Sequence, residues 1–104
     1  MSLSGVELIA EERKRQIEEE GWTPEHDAQH VEGELAMAAC YYAVYAQLME
    51  GVLPIWPEEF WPTTWEIQWA KRQGGNVPTL RDLVKAGALV AAEIDRRLLA
   101  GESL

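Results

Sequence analysis

The stretch TLRDLVKAGALVAAEIDRRLLAG, residues 79–101, predicts one long helix with both of its ends marked. Thr79 followed three residues later by Asp82 is a capping-box pattern, in which the two side chains bond free amides of the first turn. Gly101 is the residue type that commonly ends a helix. The stripe predicted to face the core consists of Leu80, Leu83, Val84, Gly87, Val90, Ala91, Ile94 and Leu98.

A central helix is predicted from GELAMAACYYAVYAQLME, residues 33–50, because almost all of its side chains are apolar. A helix that is apolar around its circumference has to be covered by other helices or by a second subunit. Cys40 lies in this run and is expected in the core. Since it is the chain's one cysteine, an intrachain disulfide is excluded.

Ser4 and Glu7 form a further capping box, which predicts a first helix that ends near Glu20. Its inward face is predicted to consist of Val6, Ile9, Ala10, Arg13 and Ile17. Thr23 before Pro24 is typical of another helix start, although the central helix can also begin at Gly33 after a looser segment.

The connection from Gly51 to Pro62 contains three prolines, which block regular helix and remove backbone donors. Its aromatic content favours an ordered crossover over a solvated linker. Thr63-x-x-Glu66 then predicts a short helix that ends at Gly74 and Gly75. We therefore expect an all-α fold with a single domain over 1–104. It is a small bundle of three long helices plus one short helix, with a Pro/Trp-rich crossover.

Composition narrows the classes of partner. The net charge of −9 repels nucleic acid and anionic lipid, and no basic patch counters it. The longest apolar stretch, 35–46, is shorter than the roughly 20 residues that cross a bilayer. We expect a cytoplasmic protein that binds neither nucleic acid nor membrane. Since a helical domain of this size often completes its burial by pairing with a copy of itself, a homodimer is expected.

The segment His26-Asp27-Ala-Gln-His30-Val-Glu-Gly-Glu34 is the most unusual polar stretch. A helix through it would place Asp27, His30 and Glu34 on one side, at a spacing suited to metal ligands. Oxygen ligands favour Mg²⁺ or Mn²⁺, and imidazoles favour Zn²⁺. The same face continues with Met37, Tyr41 and Tyr45, a mixture typical of a small-molecule pocket. Equally, His26 and Asp27 can cap the first turn, and Glu34 can pair with an arginine.

Other acids are candidates to complete such a site: Glu12, Asp82, Glu93 and Asp95. Each has an ordinary alternative, which is weakest for Asp95. Asp82 stands in a cap, Glu93 precedes Arg97 by four residues, and Glu12 can pair with Arg15 or Gln16. Asp95 lies at the edge of the predicted apolar stripe.

Four tryptophans fall within 14 residues, namely Trp56, Trp61, Trp65 and Trp69. Their rings suit stacking on a nucleobase, but tryptophans and prolines more often fill a small core between helices. Lys71 and Arg72, which follow directly, suit a phosphate or the end of a helix.

Several runs carry a resemblance to small, uncharacterised proteins of phages and prophages. They are Glu12-Arg13-Lys14-Arg15-Gln16-Ile17, Gly21-Trp22-Thr23-Pro24-Glu25-His26-Asp27, His30, Gly33-Glu34-Leu35-Ala36, Leu83-Val84-Lys85-Ala86-Gly87-Ala88-Leu89 and Ala92-Glu93-Ile94. The match covers most of the chain and implies a phage or prophage origin.

Trp22, His26, Gly33-Glu34-Leu35-Ala36 and Leu80-Arg81-Asp82-Leu83 are also similar to motifs of MazG-type all-α nucleoside-triphosphate pyrophosphohydrolases. This resemblance implies a magnesium-dependent helical bundle that forms dimers or tetramers and cleaves a nucleoside triphosphate to a monophosphate and pyrophosphate. It implies Glu34 and Asp82 as catalytic metal ligands. Val31, Met37 and Thr79 stand where further acids belong in that family. Either His30, Glu12, Asp95 and a second subunit supply the missing ligands, with Asp27 as a further candidate, or the catalytic activity is absent.

The leading hypothesis is therefore a MazG-like nucleotide-binding or nucleotide-hydrolysing protein that uses Mg²⁺, with Mn²⁺ or Zn²⁺ as alternative ions. The residues expected to contact the substrate are Trp56, Trp61, Trp65, Tyr41 and Lys71. The rival is a non-catalytic phage accessory protein that acts as a helical dimerisation or protein-interaction module.

Overall fold

The computed structural model describes residues 2–46 and 56–104, and its fold is all-α. The helices are α1 (Gly5–Glu19), α2 (Pro24–Asp27), α3 (Glu34–Ala43) and α4 (Leu80–Leu99), with 3₁₀ turns at Pro57–Phe60 and Ile67–Trp69. The described residues contain no strand. The predicted class is confirmed, with three longer helices and one short one.

The helix starts follow from the capping residues. The Ser4 hydroxyl accepts the Glu7 N–H, and the Glu7 carboxylate accepts the Ser4 N–H in return. Thr79 and Asp82 form the same reciprocal pair at the start of α4. Thr23 caps α2 by accepting the His26 N–H, with Pro24 in the first turn. These three predicted starts are confirmed.

The core lies where α3 packs on α4 and receives one tryptophan from the crossover. Its buried members are Leu35, Ala38, Ala39, Tyr41, Tyr42, Trp61, Ala86, Leu89 and Ala92. α1 approaches α4 at Gly87, where a Cβ would come within 2.4 Å of Ile9 Cδ1. The absence of a side chain at Gly87 therefore sets the close contact between these two helices.

The predicted inward stripe of α4 is wrong for most of its members. Leu80, Ile94 and Leu98 are 81%, 53% and 53% exposed, and only Val84 of the stripe is buried. The buried face consists instead of Asp82, Val84, Ala86, Ala88, Leu89 and Ala92. Three of these six residues are alanines, which allow neighbouring helices to pack closely, and Leu89 supplies the largest buried apolar side chain.

The central helix is shorter than predicted. α3 ends at Ala43, because Val44 adopts an extended backbone. Residues 47–50, where the prediction continued, lie outside the described residues. Cys40 is exposed, so its placement in the core was wrong.

The short helix predicted after Thr63 is replaced by the 3₁₀ turn Ile67–Trp69. Glu66, which was expected to continue a first helical turn, is extended and accepts the Trp61 indole N–H through its carbonyl at 3.3 Å. Residues 51–55 of the predicted crossover lie outside the described residues. In the part of the chain that the structure describes, no helix combines the length and apolarity that crossing a membrane requires.

Candidate functional site

A cavity of about 290 Å³ lies where α1, α2 and α4 meet the segment from Trp65 to Lys71. α3 contributes two of its side chains. The lining consists of Glu12, Arg15, Gln16, Glu20, Trp22, His26, Asp27, His30, Leu35, Tyr42, Trp65, Trp69, Lys71, Lys85 and Leu89. Polar groups of both charges therefore share one cavity with large aromatic rings.

α1 turns Glu12 and Gln16 towards this cavity, and neither was in the inward face predicted for this helix. Of that predicted face, Arg13 is buried and Ile9 packs at Gly87 of α4. Glu12 and Gln16 are each 2% exposed, whereas the predicted core residue Val6 is 79% exposed. Glu12 and Gln16 are four residues apart, so they lie on the same side of the helix. Burial of these groups is tolerated because they bond to each other and to Arg15.

Glu12 is held as a buried carboxylate. The Arg15 guanidinium donates to both of its oxygens at 2.9 Å, and Gln16 Nε2 donates to Oε2 at 3.1 Å. Burial acts to raise the pKa of Glu12, but these hydrogen bonds and the charges of Arg15 and Lys85 outweigh it and lower the pKa. Glu12 is therefore ionised at neutral pH.

Asp27 links α2 to α1 and is 1% exposed. Its Oδ2 accepts Arg13 Nη2 at 3.1 Å, and His26 Nδ1 lies 3.4 Å from Oδ1. Arg13 also donates to the Trp22 carbonyl at 3.1 Å. Since Asp95 is 3.9 Å from the same guanidinium, Arg13 joins α1, α2 and α4.

One wall of the cavity is aromatic. The ring of Trp65 lies 6.3 Å from Trp22, 6.2 Å from Trp69 and 5.2 Å from His30, measured between centroids. His26 extends the group, 5.0 Å from His30. This wall presents faces and edges of several rings to whatever enters the cavity.

Lys71 and Lys85 supply positive charge to the lining. The ion pairs of the described residues include neither lysine, whereas Arg15 is paired with Glu12, Glu19 and Glu20. Lys85 Nζ stands 5.6 Å from the ring centroid of Tyr42. The two lysines are thus available to a ligand anion.

Tyr42 fixes the segment that carries Lys71. Its hydroxyl accepts the Lys71 N–H at 3.1 Å and donates to the Trp69 carbonyl at 3.4 Å. Burial raises the pKa of Tyr42, so the hydroxyl stays protonated and keeps both roles. The aromatic wall and Lys71 are therefore held against α3.

The residues predicted as metal ligands are not brought together. Asp27 and His30 line the cavity, but Glu34, Asp82 and Asp95 do not. The described residues contain no group of three or more His, Cys, Asp or Glu side chains placed to hold a metal ion. Glu34 instead accepts the Glu32 N–H at 2.7 Å and lies 3.4 Å from His30.

The surroundings of Asp82 indicate a structural role. It is fully buried, and its carboxylate accepts backbone N–H groups from Gln73, Gly74 and Thr79 at 2.7–2.9 Å. Burial acts to raise the pKa of Asp82, but these hydrogen bonds outweigh it and lower the pKa. Asp82 therefore caps α4 and ties the preceding loop to it, the alternative role that its capping position allowed.

The predicted substrate residues divide into three groups. Trp65 and Lys71 line the cavity. Trp61 and Tyr41 are buried in the core, where Trp61 fills the space between helices. Trp56 is 57% exposed and lies apart from the lining.

Sequence reasoning assigned no ligand role to Gln16, Tyr42 or Lys85, all of which line the cavity. Gln16 was considered only as a partner of Glu12, and that pairing is confirmed. What these three residues share in the sequence is a polar group on or beside a helix face that is predicted to be buried. They come together in one cavity only because α1 packs on α4.

Comparison with known proteins gave no match to a protein-family model, to a curated protein or to a solved structure. The resemblances to phage proteins and to MazG-type enzymes rest on the sequence motifs alone.

Proposed function

We propose that the chain binds a small aromatic anion of the nucleotide class in the cavity between α1, α2, α4 and the Trp65–Lys71 segment. The observation that carries this proposal is the combination of a tryptophan wall with Lys71 and Lys85 in one lining. A nucleotide has the matching parts, which are a flat base and a phosphate.

The size and the rings suit a mononucleotide. Pockets for small ligands begin at about 300 Å³, close to the volume of about 290 Å³ found here. Stacking of one base on an aromatic side chain contributes about 1–3 kcal/mol. Trp69, whose ring centroid lies 6.2 Å from that of Trp65, offers a ring for such a contact.

The charges suit a phosphate. A chain with net charge −9 repels anions at a distance, so local cations have to provide the attraction. Lys71 and Lys85 do this without breaking an ion pair of the described residues. Arg15, by contrast, would have to release Glu12, and for that reason we assign the phosphate to the lysines.

Calorimetric titration with a panel of nucleoside monophosphates and triphosphates tests the proposal. We expect saturable binding that weakens about tenfold or more in Lys71→Ala and in Lys85→Met, because a hydrogen bond to a charged group contributes about 1.5–3 kcal/mol. Lys14→Ala, an exposed lysine of α1 outside the lining, is the matched control and should bind as the wild type does. Wild-type affinity in Lys71→Ala and in Lys85→Met would contradict the assignment of the phosphate to these lysines.

Hydrolysis is an extension of this proposal that comes from the MazG resemblance. It requires Mg²⁺ or Mn²⁺ to polarise a phosphoryl oxygen. The geometry supports binding more directly than hydrolysis, since Asp82 is committed to backbone amides and Glu12 to Arg15 and Gln16. Pyrophosphate release from nucleoside triphosphates that is lost in Glu34→Gln would support the extension. No release from a folded protein with either metal would overturn it.

A second candidate function, self-association, is favoured by the outer face of α4. Val90, Ile94 and Leu98 form an apolar stripe there and are 46–53% exposed. The nearby charges are paired within the chain, as in Glu93–Arg96, so a second copy can pack on this stripe without bringing unpaired like charges together. Light scattering should then give a dimer that Ile94→Glu converts to a monomer. A monomeric wild type would remove this candidate.

A further inference from the structure

Two residues that line the cavity each have a buried polar atom without a hydrogen-bond partner among the described residues. The atoms are Oε1 of Gln16, an acceptor, and Nε1 of Trp65, a donor. Buried polar groups in native proteins are nearly always paired, so such atoms call for an explanation. Because both atoms belong to residues of one cavity lining, a ligand in that cavity is the partner that accounts for both.

The orientation of the Gln16 amide is fixed by its neighbour. Gln16 Nε2 lies 3.1 Å from Glu12 Oε2, and an ionised carboxylate only accepts hydrogen bonds. The nitrogen therefore has to face Glu12, since the opposite orientation would place two acceptors against each other. This leaves Oε1 as an acceptor for the ligand.

Glu12 adds a second acceptor beside Gln16. Its carboxylate accepts three hydrogen bonds from the described residues, two from Arg15 and one from Gln16. An ionised carboxylate has about four acceptor positions, so one is left. It is on Oε1, which accepts from Arg15 Nε and has Arg81 Nη1 at 3.7 Å. Two neighbouring acceptors match an amino group, which carries two N–H donors, better than a single ring N–H.

We infer that the cavity recognises the exocyclic amino group of a nucleobase, which donates to Gln16 Oε1 and Glu12, while Trp65 Nε1 donates to the adjacent ring nitrogen. Adenine and cytosine both place an amino group beside a ring nitrogen acceptor. The inference rests on the proposed nucleotide binding and adds the chemical class of the base. It assigns to Gln16 a role in selectivity, with Lys71 and Lys85 serving the phosphate.

Two matched pairs of nucleotides test the inference by calorimetry. One pair is the 5′-monophosphates of adenosine and purine riboside, and the other is those of cytidine and 2-pyrimidinone riboside. Within each pair only the amino group differs. We expect at least one pair to bind the wild type, with the amino-bearing member tighter by about 3–10-fold, the range of a net hydrogen bond. This difference should become smaller in Gln16→Met, because only the Glu12 acceptor remains.

Gln29→Met is the matched control, because Gln29 is exposed and lies outside the lining. It should preserve the difference. Trp65→Phe keeps an aromatic ring and removes the N–H, so it should weaken the amino-bearing nucleotides a few-fold. Circular dichroism shows whether Gln16→Met is folded. If it is not, Trp65→Phe and the comparison of nucleotides on the wild type still test the inference.

The outcomes separate the inference from the proposed function. Equal affinities within both pairs, with clear binding, would overturn amino-group recognition and leave nucleotide binding intact. A difference of unchanged size in Gln16→Met would overturn the role of Gln16. Absence of saturable binding by every nucleotide would overturn both.

Discussion

At the scale of the residue, buried polar side chains explain more of this molecule than its apolar pattern does. Asp82 shows this most clearly, since one carboxylate organises the start of α4 and the loop before it through Gln73, Gly74 and Thr79. Such a residue resembles a catalytic acid in sequence. Its measurable signature is a contribution to stability.

Asp82→Asn is expected to lower the free energy of unfolding by about 1–3 kcal/mol, because it removes an acceptor from buried backbone N–H groups. Urea unfolding followed by circular dichroism measures this change. Asp95→Asn serves as the control, since the Asp95 side chain is 53% exposed, and should change stability little. Unchanged stability in Asp82→Asn would contradict the structural role.

The lowered pKa values of Asp82 and Glu12 predict a loss of stability in acid. A carboxyl whose pKa is lower in the folded state binds fewer protons there than in the unfolded state. Its stabilisation is complete above the ordinary carboxyl pKa of about 4, and it is lost as the pH falls through the lower folded value. The urea concentration at the midpoint of unfolding should therefore decrease from pH 6 to pH 4 and again to pH 3. This decrease should be smaller in Asp82→Asn than in the wild type. Equal decreases would exclude Asp82 as a source of the effect.

At the scale of the element, the helix starts were predictable and the helix faces were not. Ser4 and Thr79 signal their caps locally, within one turn of chain. The inward face of α1 depends on what α2 and α4 place beside it. There Glu12 and Gln16 are buried although the sequence pattern did not place them inward, because hydrogen bonds make their burial tolerable.

The contact between α1 and α4 depends on Gly87. A methyl group there would meet Ile9 Cδ1 at 2.4 Å and Cγ1 at 2.7 Å. Gly87→Ala should destabilise the protein by about 1–2 kcal/mol, since overpacking costs more than the gain in helix propensity. In an Ile9→Ala background the same substitution should instead stabilise by up to about 1 kcal/mol. Thermal unfolding of the wild type, the two single variants and the double variant measures both effects of Gly87→Ala. If Gly87→Ala destabilises the protein equally in the wild-type and in the Ile9→Ala background, this packing is contradicted.

At the scale of the whole molecule, the cavity is assembled from segments that are far apart in sequence. α1 contributes Glu12 and Gln16, the 3₁₀ region contributes Trp65 and Lys71, and α4 contributes Lys85. The sequence singled out the tryptophans and Lys71 as candidate ligand residues. It did not place them against α1, because that arrangement follows from tertiary packing and not from any local pattern.

A nucleotide in this cavity would change the surroundings of the indole N–H groups there, so the indole N–H signals of the ¹⁵N-labelled protein report its binding. Each of the five tryptophans gives its own signal, which can be assigned by single Trp→Phe substitutions. On titration with a nucleoside monophosphate, we expect the signals of Trp22, Trp65 and Trp69 to shift together and saturate, while that of the exposed Trp56 stays in place. Unchanged cavity signals, or shifts confined to Trp56, would contradict the account.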